Sequence, residues 1–117
     1  MPTLSQKHSN RFHKDVSNWL ELFKLADWEV HYMFCEDKVD ELADCTTTTQ
    51  NKQALIRLYS EWDIDPTPEA LDQTACHEVL HVLFAQLMQL AADRYVTDKQ
   101  LADAEHDVIR ALERVLF

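Results

Sequence analysis

Residues 77–81 read His77-Glu78-Val79-Leu80-His81, an H-E-x-x-H spacing inside a run that otherwise reads as a buried helix. Two histidines at i and i+4 lie one helical turn apart on one face, so both imidazoles can reach one metal ion. Zinc takes imidazole nitrogen at about 2.0–2.1 Å and, in catalytic sites, keeps one position open for water. Glu78 follows His77 directly and would stand beside such an ion rather than on it. From there it can take a proton from a zinc-bound water, whose pKa the ion lowers to about 7. Two histidines and a glutamate also occur on ordinary amphipathic helices, and the surroundings decide between the readings. Between residues 75 and 90, Ala75, Val79, Leu80, Val82, Leu83, Phe84, Ala85, Leu87, Met88 and Leu90 cover nearly the whole circumference. Such a helix is central, and ionisable groups on it need a partner or a metal.

The rest of the composition narrows the class. At 117 residues the chain suits one domain, 1–117, with a single core. No apolar run approaches the 18 or so residues of a membrane span, and residues 1–8 lack a signal-peptide core, so a cytoplasmic protein without a membrane partner is expected. The formal charge of −10 argues against nucleic acid as a partner, since phosphate neutralisation needs a basic surface. Glycine is absent, which excludes glycine-rich phosphate loops and leaves turns to Asp, Asn and Pro. Cys35, Cys45 and Cys76 form no Cys-x-x-Cys pair and read as small buried hydrophobes. Cys76 points about 100° away from His77 around the helix and makes a poor ligand.

In chain order, Thr3-Leu4-Ser5-Gln6 has capping-box spacing and opens a helix over 4–25 carrying Leu4, His8, Phe12, Val16, Trp19, Leu20 and Phe23. His8 and His13 on it read as exposed. Residues 28–34 form a strand with Val30, Tyr32 and Phe34 on one face and His31 on the other. Residues 42–49 and 53–60 make two further strands around a turn at Gln50-Asn51-Lys52. Thr67 and Pro68 start the motif helix over 68–91. Thr97-Asp98-Lys99-Gln100 is a capping box, with Val96 and Leu101 as a hydrophobic staple, and begins a third helix over 98–116. The expected class is α+β: three helices and a small three-stranded, mainly antiparallel sheet, in the order α-β-β-β-α-α.

A catalytic zinc needs a third protein ligand. The extended pattern H-E-x-x-H-x-x-G-x-x-H is excluded, because Phe84 and Leu87 stand at its Gly and third His. On the third helix Leu101, Val108, Leu112 and Val115 form an apolar stripe, and Glu105 falls within it. An acid in a core stripe needs a reason, and a metal would supply one. The alternative is a solvated Glu105 at the stripe's edge. His106 is the rival ligand, and Asp103, three residues before it, could orient its ring.

With the His77–His81 motif and Glu105 in Ala104-Glu105-His106-Asp107-Val108-Ile109, the chain resembles minimal zincin metallopeptidases of the glutamate-zincin type, whose familiar large relative is thermolysin. It is also similar to short zincin-like proteins of phages and prophages. The resemblance implies zinc on His77, His81 and Glu105, Glu78 as general base, and a peptide or protein substrate. It also implies that substrate lies along an edge strand beside the motif helix. The far wall of the thermolysin cleft has no counterpart in 117 residues. His106, Tyr59 and Tyr95 are the available substitutes for its oxyanion-stabilising histidine. A catalytically inactive zincin-like binding or regulatory module, its metal structural or absent, is the rival expectation.

Overall fold

The computed structural model describes residues 2–36 and 40–117. Three helices, α1 (Gln6–Leu22), α2 (Pro68–Ala92) and α3 (Asp98–Leu116), accompany three strands, β1 (Glu29–Cys35), β2 (Ala43–Thr48) and β3 (Gln53–Tyr59), in the expected α-β-β-β-α-α order. No described helix is long and apolar enough to cross a membrane.

The sheet has β3 in the middle, in the order β1-β3-β2. β2 and β3 form the expected antiparallel hairpin, whereas β1 runs parallel to β3, from Glu29 opposite Gln53 to Cys35 opposite Tyr59. The sheet is therefore mixed, not mainly antiparallel. The reason is the shortness of the β1–β2 connection. Cys35 lies opposite Tyr59 and Ala43 opposite Leu58, so β1 ends and β2 begins at the same end of β3. Those two strand ends are separated by one strand, about 10 Å at the usual strand spacing. Parallel and antiparallel pairing share the same side-chain alternation, which is why the pattern of residues 28–34 leaves the direction open.

That alternation sorts the sheet into two faces. Val30, Tyr32 and Phe34 share one face with Ala54, Ile56 and Leu58 and with Ala43, Cys45 and Thr47. This face is the inner one. Ile56 and Leu58 are buried with Phe12 and Val16 of α1 and with Leu71, Ala75 and Val79 of α2. His31 falls on the opposite face and lies 3.5 Å from Glu29. Trp62 is fully buried; its indole Nε1 donates to the Leu42 carbonyl at 3.1 Å and its amide to Pro2 at 3.1 Å.

Helix ends follow local chemistry. Thr67 caps α2 by accepting from the Ala70 amide, with Pro68 at the first helical position. Thr97 and Gln100 form the expected reciprocal box at the start of α3. At α1 the box is made by Ser5 and His8, not Thr3 and Gln6. Thr3 instead forms a bridge with Glu61 and Leu4 donates to the Ser60 carbonyl, so strand-like pairing holds those residues and helix formation waits for Ser5. With no glycine to supply left-handed backbone, Lys24 and Lys52 adopt it, at φ 57° and 51°.

α1 and α3 both pack on α2, and the Trp19 indole ties α1 to Asp72 of α2 at 2.8 Å. Trp62→Ala removes the largest fully buried side chain and one of the two bonds accepted by the Leu42 carbonyl, which keeps the Tyr59 amide at 3.1 Å. It is expected to destabilise the fold by about 3–5 kcal/mol, read from urea unfolding monitored by circular dichroism. A loss below about 1 kcal/mol would contradict this account of the core.

Candidate metal centre

Burial on α2 is one-sided. Leu71, Ala75, Glu78, Val79, Val82 and Ala85 are its buried residues, and His77 and His81 stand exposed beside them. Glu78 shares a face with Ala75, Val82 and Ala85 and is only 3% exposed. The fold thus carries a carboxyl group under the helix with two imidazoles at its edge. The ligand atoms of His77, Glu78 and His81 all lie within 4.8 Å of one another. The two rings are 5.0 Å apart between centroids and nearly perpendicular, at 77°. Two imidazole nitrogens and a carboxylate oxygen converging in this way suit a divalent cation, and suit several such cations.

The three side chains line a cavity of about 610 Å3, whose opposite wall is the β2 edge of the sheet with the residues leading into it. Glu41, Asp44 and Cys45 contribute from that wall, and Gln73 and Thr74 from α2. Asp44 is firmly held: Arg57 donates to it through Nε at 2.8 Å and Nη2 at 2.6 Å, and the Tyr59 hydroxyl donates at 2.7 Å. Those bonds cross from β3 to its edge neighbour and fix the wall facing the histidines.

Electrostatics follow from burial among acids. Burial first, then the charges of Asp44 and Glu41, push the Glu78 carboxyl up to about 7. A group with that value can take up and release a proton at neutral pH. Burial, with Glu78 and Asp44 adding to it, pushes the Cys45 thiol up to about 12, so it is a neutral wall of the cavity.

Glu105 and His106 stand outside this group. α3 buries Ala104, Val108 and Ala111, with Leu101 and Leu112 partly covered, while Val115 is 37% exposed. The inward ridge is centred on the two alanines, whose small side chains form the contacting surface, rather than on the line 101-105-108. Glu105 is turned about 100° from Ala104 and is exposed. His106 is exposed too, its Nδ1 2.8 Å from the Ala102 carbonyl oxygen, and Asp103 pairs with Lys99 at 3.2 Å instead of orienting that ring. Tyr59 is buried and bonded to Asp44, and Tyr95 is 83% exposed between α2 and α3. Neither lines the cavity.

Glu41, Asp44 and Cys45 were not legible as site residues from spacing alone. For Cys45 the available signal was the alternation of Ala43, Cys45 and Thr47 on the inner face of an edge strand, which required knowing that β2 is that edge; the same alternation puts Asp44 on the other face, and Glu41 precedes the strand. Compared with protein-family models, curated proteins and solved structures, the chain matches none.

Arg57, with Tyr59 assisting, holds the Asp44 carboxyl below its ordinary value of 3.8 despite partial burial. A lowered folded value means stability that is present above about pH 4 and lost as pH falls through the folded pKa. Asp44→Asn is therefore expected to unfold more readily than the parent at pH 6, the difference shrinking as pH falls below about 4, by thermal melting of metal-free protein. Equal melting temperatures at pH 6 would show that the Asp44 bonds contribute nothing to holding the wall.

Proposed function

We propose that the chain is a metal-dependent peptide-bond hydrolase, with zinc as the resident ion on His77 and His81 and Glu78 as general base. The observation that carries this reading is the convergence of His77, Glu78 and His81 on one point at the edge of a substrate-sized cavity. His77 and His81 supply two of the imidazole donors that zinc accepts, with Glu78 left free as base; among the described residues no third protein ligand joins them. When bound, the ion supplies Lewis acidity that polarises a scissile carbonyl and acidifies water.

The chain's own residues do the rest. His77 and His81 hold the ion at the exposed rim, where a substrate can approach. Glu78, buried beneath them, accepts the proton of the attacking water and returns it to the leaving amine, a transfer suited to a carboxyl group near pKa 7. β2 is an edge strand on the cavity wall. Its outer edge can pair with an extended peptide, laying the peptide past the histidines. Asp44, clamped by Arg57 and Tyr59, keeps that strand in place.

A zincin-like binding module is the second reading. It is favoured by the exposed positions of Glu105 and His106, and by Tyr59 and Tyr95 lying outside the cavity.

Glu78→Gln is expected to lower hydrolysis of an unfolded protein substrate by about 10²–10⁴-fold while zinc still binds at one equivalent. Retained activity would refute the general-base role. His77→Ala and His81→Ala are each expected to abolish stoichiometric zinc binding, measured by titration against a chromogenic chelator. In the arrangement described, Glu105→Gln leaves zinc affinity within about threefold of the parent, because that side chain faces solvent. A loss matching that of His81→Ala would instead show α3 turning Glu105 onto the ion.

A further inference from the structure

Away from the histidine pair, the turn after α1, the second half of α2 and α3 enclose a second cavity, of about 570 Å3. It shares no lining residue with the cavity at His77 and His81. Its floor is apolar, formed by Phe23, Trp28, Val82, Leu90, Val108 and Ala111. Its lining also includes Lys24, Lys52, Arg110 and Arg114, four of the 11 Lys and Arg residues in a chain of formal charge −10. Two acids also line it. Asp27 pairs with Lys52, and Asp107 pairs with Arg110 at 3.1 Å. The lining is thus net +2 (four cations less two acids), and Lys24 and Arg114 have no ion pair among the described residues. Both are exposed, and both also border a smaller hollow at the surface with Glu21.

We propose that this cavity binds a small amphipathic carboxylate, with its alkyl chain against the apolar lining residues and the carboxylate held by Lys24 and Arg114. The volume lies inside the usual range of small-molecule pockets, about 300–1,000 Å3, and so does the pattern of an apolar lining with a few convergent polar groups. The charge pattern selects the head group. In an acidic protein most of the surface repels anions, and this lining has two cations that are in no ion pair among the described residues, although Glu21 lies near them. Arg114 presents a planar fork that matches a carboxylate, and bonds between ionised partners are roughly twice as strong as neutral ones. A neutral alcohol of the same length would gain the floor without the head-group bonds.

The test is a titration of the full chain with decanoate, followed by calorimetry and by amide chemical shifts. Saturable one-to-one binding is expected, with shifts at Lys24, Leu90, Val108 and Arg114. The double variant Lys24→Glu/Arg114→Glu, at two exposed positions, is expected to bind at least about tenfold more weakly. Decanol is expected to bind as weakly to the parent as decanoate does to that variant. Chelator treatment, which addresses only the His77 and His81 site, is expected to leave decanoate binding unchanged. Absence of saturable binding, or equal affinity in the double variant, would overturn the proposal.

Discussion

The packing of one face of α2 against the inner face of the sheet is the contact on which the remaining structure depends. Ala75, Val79 and Val82 are almost wholly removed from water, and Ile56, Leu58, Phe12 and Val16 are buried with them. Glu78 lies on that same buried surface. Burying a carboxyl group is unfavourable, and the rise of its pKa to about 7 is the direct expression of that cost. A sequence selected for stability alone would place an apolar residue there. Retaining an acid beside two imidazoles is the kind of local disagreement with packing rules that accompanies functional sites.

The mixed sheet gives this helix a defined neighbour. With β3 in the centre and β1 parallel to it, β2 becomes the strand whose free edge borders the cavity at the histidines. An edge strand with Thr46 and Thr48 exposed is polar and unaggressive, yet it leaves backbone groups unpaired along its outer side. The clamp from Arg57 and Tyr59 onto Asp44 counters the mobility that an edge would otherwise have, at a residue that lines the same cavity as the histidines. Catalytic geometry is best carried by such supported elements.

Much of this was legible in the residues. Thr67-Pro68 and Thr97-Gln100 mark helix starts because capping is local chemistry, and the structure places α2 and α3 there. Thr3 carried the same signal and was overridden, because its pairing with Glu61 involves residues 58 positions apart, 61 less 3. The direction of β1 was not legible, since period-two alternation is blind to strand polarity. The placement of Glu105 turned on a shift of one residue in the inward ridge of α3. Periodicity favoured the larger apolar residues 101, 108, 112 and 115, and alanine contacts at 104 and 111 carried the ridge instead. His77, Glu78 and His81 were legible together because a single helical turn fixes their relation without any tertiary information.

The central claim is that one turn of α2 grips a divalent cation between His77 and His81 with Glu78 alongside. The most direct measurement is diffraction from crystals grown with one equivalent of zinc, with data on both sides of the zinc absorption edge. The account predicts one anomalous peak about 2.1 Å from a ring nitrogen of each histidine. A peak placed elsewhere on the molecule, or none at that turn, would contradict it.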